Sequence, residues 1–107
     1  MPARAVNLRN DPKVTSESKI GLLWDQPEAN GSPVTQYRVF WKNKRDTEFS
    51  LYKSGVTKTE LTFENLPYSF VPGESYQFRV QALNSEGWGE LSDPHTITVH
   101  PQKVAPE

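Results

Sequence analysis

From Tyr76 to Ala82 the side chains alternate without a break, with Tyr76, Phe78, Val80 and Ala82 on one side and Gln77, Arg79 and Gln81 on the other. Period two belongs to a strand with one buried and one wet face. A helix would need apolar residues at i, i+3, i+4 and i+7, and no stretch of this chain sustains that pattern. The alternation recurs. Ile20, Leu22 and Trp24 oppose Lys19, Gly21, Leu23 and Asp25, and Tyr37, Val39 and Trp41 oppose Gln36, Arg38, Phe40 and Lys42. Leu61 and Phe63 oppose Glu60, Thr62 and Glu64, while Ile97 and Val99 oppose Thr96 and Thr98. Weaker signals predict a first strand through Val6 and Leu8 and a middle one through Phe49 and Leu51.

Turn signals separate these segments: Asn10-Asp11-Pro12, Ala29–Pro33, Asn43–Asp46, Ser54-Gly55, Pro72-Gly73, Ser85–Gly87 and Asp93-Pro94. Seven short strands, each with one apolar face, predict an all-β chain, a seven-stranded antiparallel β-sandwich. Trp24, Tyr37, Val39, Phe63, Tyr76, Phe78 and Val80 form the expected structural core. The three tryptophans, four tyrosines and five phenylalanines suit pleated surfaces, and the nine prolines suit edges and turns. At 107 residues the chain holds one domain, of a size that buries roughly two-thirds of its unfolded surface.

The chain has no cysteine, which excludes disulfides, thiolate metal sites and cysteine nucleophiles. Twelve basic and 13 acidic residues give a net charge of -1, so no global field draws nucleic acid or anionic lipid. The longest runs of large apolar residues, Leu22–Trp24 and Val39–Trp41, are far too short to insert in a membrane. His95 and His100 are an odd number of positions apart and would face opposite sides of a strand, so they cannot share a metal. No phosphate loop, Gly-x-Ser-x-Gly elbow or His-Glu-x-x-His run is present. Lys42, Lys44 and Arg45, beside Asp46 and Glu48, read as a solvated turn. The expectation is a chain without catalytic residues, cofactor or metal. Met1-Pro2-Ala3-Arg4 leads into polar sequence rather than an apolar leader, which leaves a removed leader and a cytoplasmic location both open.

Four blocks then resemble a fibronectin type III domain in order and spacing, over nearly the whole chain. Leu22-Leu23-Trp24-Asp25-Gln26-Pro27 is similar to the family's second strand, where a tryptophan precedes a proline-ended turn. Asn30-Gly31-Ser32-Pro33 and the Tyr37/Val39 pair resemble the B–C loop and third strand. Pro72-Gly73-Glu74-Ser75-Tyr76 resembles the start of strand F, and Asn84–Ser92 the F–G loop that follows it. The resemblance implies an immunoglobulin-like sandwich in which Tyr76 is a tyrosine corner, its hydroxyl reaching a backbone group upstream. A true immunoglobulin domain would carry two cysteines around its tryptophan, and both are missing. Phe70 stands where the family has a leucine, with Leu66 earlier in the chain. A four-residue insertion, Pro67–Phe70, accounts for this and leaves two candidates for the corner's partner. The Arg-Gly-Asp tripeptide of integrin-binding members is absent.

The resemblance implies a module of a larger cell-surface, adhesion or matrix protein, located outside the cell or on its surface. Its contacts would be a protein partner or neighbouring domains of the same chain, with the isolated domain monomeric. Residues 1–3 read as a tail, 4–100 as the domain, and 101–107 as a proline-containing linker. Two alternatives stand beside it: an intracellular spacer of a cytoskeletal or muscle filament protein, and an accessory domain of a secreted microbial enzyme. Trp88, Glu86 and Glu90 on the F–G loop, with Asn30 on the B–C loop, are the expected partner contacts. Trp88 also has a packing role open to it, folded onto Arg79 or another cationic stem. Trp88-Gly89-Glu90-Leu91-Ser92 is similar to the Trp-Ser-x-Trp-Ser box of cytokine receptors, without its first serine and second tryptophan. Phe40 and Leu83 are expected to lie on the outer face of neighbouring strands. Asn30-Gly31-Ser32 is a glycosylation sequon, with Pro33 after it acting against the transferase.

Overall fold

A computed structural model of the chain describes residues 6–16, 19–27, 31–63 and 70–99. Eight strands follow one another among the described residues: β1 (Val6–Asn10), β2 (Ile20–Asp25), β3 (Gln36–Asn43), β4 (Ser50–Val56), β5 (Glu60–Phe63), β6 (Ser75–Asn84), β7 (Gly87–Trp88) and β8 (His95–Thr98). They form two antiparallel sheets. One has the order β1-β2-β5; in the other, β4-β3-β6-β7, β8 also pairs with β6. Because β7 and β8 both run along β6, the seventh strand of the expected sandwich is present in two pieces. Pro94, which has no N–H to give to a ladder, lies in the gap between them.

The longest uninterrupted register joins β3 to β6, from Gln36 opposite Leu83 to Asn43 opposite Tyr76. Burial along β6 alternates strictly, as the sequence pattern requires. The expected core residues Trp24, Tyr37, Val39, Phe63, Tyr76, Phe78 and Val80 are all buried, together with Ile20, Leu22, Trp41, Val56, Phe70, Ala82, Ile97 and Val99. Aromatic rings bridge the layers. Phe63 of β5 lies 4.7 Å from Phe78 of β6 and 4.3 Å from Tyr52 of β4, and Trp24 of β2 meets Tyr37 of β3 edge-on at 5.4 Å. Burial pushes the Tyr37 phenol above its ordinary value, with the Trp24 indole acting in the opposite sense. The indole Nε1 itself is buried with no full hydrogen bond among the described residues.

The middle strand differs from its expectation. β4 starts at Ser50, leaving Phe49 just outside it, and Leu51 is 53% exposed. β4 is an edge strand with two register irregularities against β3, so little of it is available for burial.

At the corner before β6, the Val71 N–H donates to the Tyr76 hydroxyl at 2.9 Å. Phe70 is buried and meets the Tyr76 ring edge-on at 4.7 Å. Leu66, the other candidate for this contact, lies outside the described residues.

The connection from β1 to β2 folds onto Gly21. Asp11 N–H donates to the Gly21 carbonyl at 2.8 Å, and Gly21 N–H donates to Thr15 Oγ1 at 3.0 Å. A Cβ at residue 21 would lie 2.6 Å from that of Val14, so the close approach requires glycine. In β1, a bulge places Asn7 at φ 57°. Asp25 closes over this bulge, accepting from Asn7 Nδ2 at 3.0 Å and Arg9 Nη1 at 3.1 Å. The Asn7 and Arg9 hydrogen bonds hold the Asp25 carboxyl below its ordinary value of 3.8. The folded state therefore favours the carboxylate, and this stabilisation is present above the ordinary value and lost as pH falls through the lower folded one. The Asp25→Asn variant is expected to melt below the wild type near neutral pH, with the gap closing as the solution is acidified past about pH 3.8. Thermal midpoints recorded across an acid titration check this; a gap independent of pH contradicts it.

Candidate functional site

The F–G hairpin is tight. Asn84 pairs with Gly87, leaving Ser85 and Glu86 as the turn. Gly87 sits at φ 120°, where a Cβ would be strained. The Asn84 side chain organises this end: Oδ1 accepts the Glu86 N–H at 2.8 Å, and Nδ2 donates to the Ser32 carbonyl at 3.4 Å. Thr35 adds two more ties, its N–H and Oγ1 both donating to the Leu83 carbonyl at 2.8 and 3.3 Å. The B–C connection and the F–G hairpin are thus held as one end of the sandwich.

At that end Glu86 and Glu90 are exposed. Asn30 lies outside the described residues. Trp88 is half-buried, and its ring lies 4.1 Å from the guanidinium carbon of Arg38. The cation beneath Trp88 is therefore Arg38 of β3 rather than Arg79. Arg38 Nε donates to Gln81 Oε1 at 2.7 Å, and Gln81 Nε2 donates to the Gly89 carbonyl at 2.6 Å. Phe40 is 5.6 Å from the same guanidinium. Phe40 and Leu83 are each half-buried at outward positions of β3 and β6.

Arg79 is occupied elsewhere. Its Nε donates to the Ser92 carbonyl at 2.7 Å, and the Phe49 ring lies 5.6 Å from its guanidinium. Ser92 is fully buried beside β6: its N–H donates to the Val80 carbonyl at 2.8 Å, and its Oγ accepts the Val80 N–H at 2.8 Å. The hydroxyl takes the ladder position that the Ser92 carbonyl would normally fill, which frees that carbonyl for Arg79. Sequence reasoning missed Arg38, Gln81, Phe49 and Ser92 as parts of this surface. The outward period of β3 and β6 contained the first two; nothing local marked Phe49 or Ser92.

At the opposite end of β6, an open hollow of about 170 Å³ is lined by Asn43, Lys44, Arg45, Val71, Glu74, Ser75 and Tyr76. Lys44 Nζ and Glu74 pair across it at 3.1 Å. Among the described residues no three His, Asp or Glu side chains gather closely enough to hold a metal.

Two packed antiparallel sheets, a seventh strand in two pieces along β6 and the Tyr76 corner define an immunoglobulin-like β-sandwich. The chain belongs to the fibronectin type III domain family, whose profile matches residues 4–98. It is 33% identical over 101 residues to neural cell adhesion molecule L1 of Rattus norvegicus, a match covering 92% of this chain and 8% of that protein. It is 30% identical over 95 residues to the cell adhesion molecule-related/down-regulated by oncogenes protein of Mus musculus, covering 86% of this chain and 7% of that one. Among solved structures, domains A168-A170 of titin superpose with a TM-score of 0.78 at 25% identity, over 94% of this chain and 32% of theirs. The chain thus spans less than a tenth of the length of each of these two curated relatives.

Proposed function

We propose that residues 4–100 act as a non-catalytic interaction module of a larger cell-surface, adhesion or matrix protein, followed by a linker over 101–107. The module presents the B–C and F–G loops to a protein partner, through Trp88, Glu86 and Glu90 with Asn30 on the adjoining loop. The observation that supports this most is the tie from Asn84 to Ser32, which makes two loops from different parts of the chain a single end. A pre-ordered end loses little entropy when a partner docks. The two adhesion-molecule relatives favour this setting over others.

Trp88 carries the test. Replacing it with alanine removes a half-buried ring and a cation–π contact of about 0.5–2 kcal/mol, so the domain is expected to stay folded. Once a partner has been captured with the immobilised domain from a library of extracellular proteins, surface plasmon resonance should show Trp88→Ala binding at least about tenfold more weakly. Unfolding of the variant, or unchanged affinity, defeats this assignment. A spacer role in a filament protein is the second reading, supported by the titin superposition. The domain order of the full-length chain separates the two.

A further inference from the structure

The outer face of the larger sheet holds its own pattern. The register sets Arg38 opposite Gln81 and Phe40 opposite Arg79. Arg38 and Arg79 are therefore diagonal neighbours on one face, their side-chain bases about 7–8 Å apart. Trp88 extends this face from opposite Leu83, and the exposed Leu51 lies across from Phe40.

Each guanidinium is anchored at one edge. Arg38 gives its Nε to Gln81, with Trp88 and Phe40 beside its guanidinium; Arg79 gives its Nε to the Ser92 carbonyl, beside Phe49. Among the described residues, neither arginine's Nη pair has an acceptor or a carboxylate within ion-pair distance. No Asp or Glu stands on β3 or β6 at all, and β4 has none either. Two guanidinium forks are thus held in place by their Nε atoms, with no carboxylate among the described residues on their double-donor ends. Such a fork matches a carboxylate through two parallel hydrogen bonds.

We infer that this face binds an extended acidic segment of a protein partner. In a strand, residues i and i+2 lie on one side about 6.6–6.8 Å apart. Two carboxylates at that spacing meet the diagonal arginines, and apolar residues at the flanking same-side positions meet Trp88 on one side and Phe40 or Leu51 on the other. A sulfated polysaccharide fits less well, because it needs a broad basic surface. Here the cations are interleaved with apolar side chains on a chain of net charge -1. The inference rests on the module reading but uses the sheet face and not the loop-tip carboxylates Glu86 and Glu90.

The probe is the capped peptide acetyl-Leu-Thr-Glu-Thr-Glu-Thr-Leu-amide, titrated into the nitrogen-15-labelled domain while the arginine Nε–H resonances are followed. Saturable shifts at both Arg38 and Arg79 are expected, and none with the peptide in which both glutamates are glutamine. Arg38→Lys and Arg79→Lys keep the charge but lose the fork and the Nε tie, so each should weaken binding about tenfold, with a lowered thermal midpoint but an unchanged far-ultraviolet circular dichroism spectrum showing that the fold is kept. Arg38→Gln and Arg79→Gln should abolish the shifts. Glu86→Ala and Glu90→Ala should leave peptide binding intact, so failure of the loop assignment and failure of this one are read separately. The inference is overturned if the peptide gives no saturable shift or if the lysine variants bind as the wild type does. Binding of a heparin hexasaccharide in place of the peptide overturns it as well.

Discussion

Phe63→Ala is expected to lower the folding free energy by about 3–5 kcal/mol, the usual cost of emptying an aromatic site in a core. Phe63 is fully buried on β5 of the smaller sheet and packs on Tyr52 and Phe78 of the larger one. Its removal therefore opens a void between layers, where neither sheet can close in without shifting its own strands. Native domains hold only about 5–15 kcal/mol in total, so the variant should sit near the edge of folding. Urea titration reads this as a large drop in midpoint at a similar slope. A loss below about 1 kcal/mol would mean that the layers collapse around the gap, contrary to the close packing expected of a core.

Ser92→Ala is expected to cost about 1–3 kcal/mol, because it strands a buried N–H. The Ser92 Oγ is the acceptor for Val80, a residue in the middle of β6 with no exposure to solvent. Alanine removes almost no volume, so any loss beyond a few tenths comes from the unpaired amide rather than from packing. Hydrogen exchange gives a direct local reading: the Val80 amide should lose protection more than its neighbours on β6. Equal loss along the whole strand would point to global destabilisation instead. The Arg79–Ser92 contact uses the carbonyl and should survive the change.

These two effects differ in how far they could be read from the chain. Phe63 was legible, because period-two alternation assigns it to the inner face of its strand. Trp24, Tyr37, Tyr76 and Phe78 were legible for the same reason, and so was the corner role of Tyr76, through the family pattern. Ser92 was not. A serine before Asp93-Pro94 looks like turn punctuation, and its ladder role exists only because β7 ends and the chain returns to β6 at β8. Leu51 was rightly placed in β4, though it is exposed, and Phe49 fell one residue outside it, because an edge strand has solvent along one side and a weak inward pattern. For Trp88, the sequence supplied the ring and the idea of a cationic stem, but it could not choose Arg38 over Arg79.

By itself the sequence determined an all-β, two-layer sandwich with an aromatic core and no cysteine, since alternation and turn chemistry are local properties that each segment carries alone. The tertiary structure decided which outward side chains meet. Arg38 beneath Trp88, Arg79 diagonal to Arg38, Ser92 against Val80 and Asn84 against Ser32 all depend on the register between strands distant in the chain. Register is set by the packing of the whole core, because a one-residue slip would turn every buried side chain outward. That long-range condition is not written in any single segment.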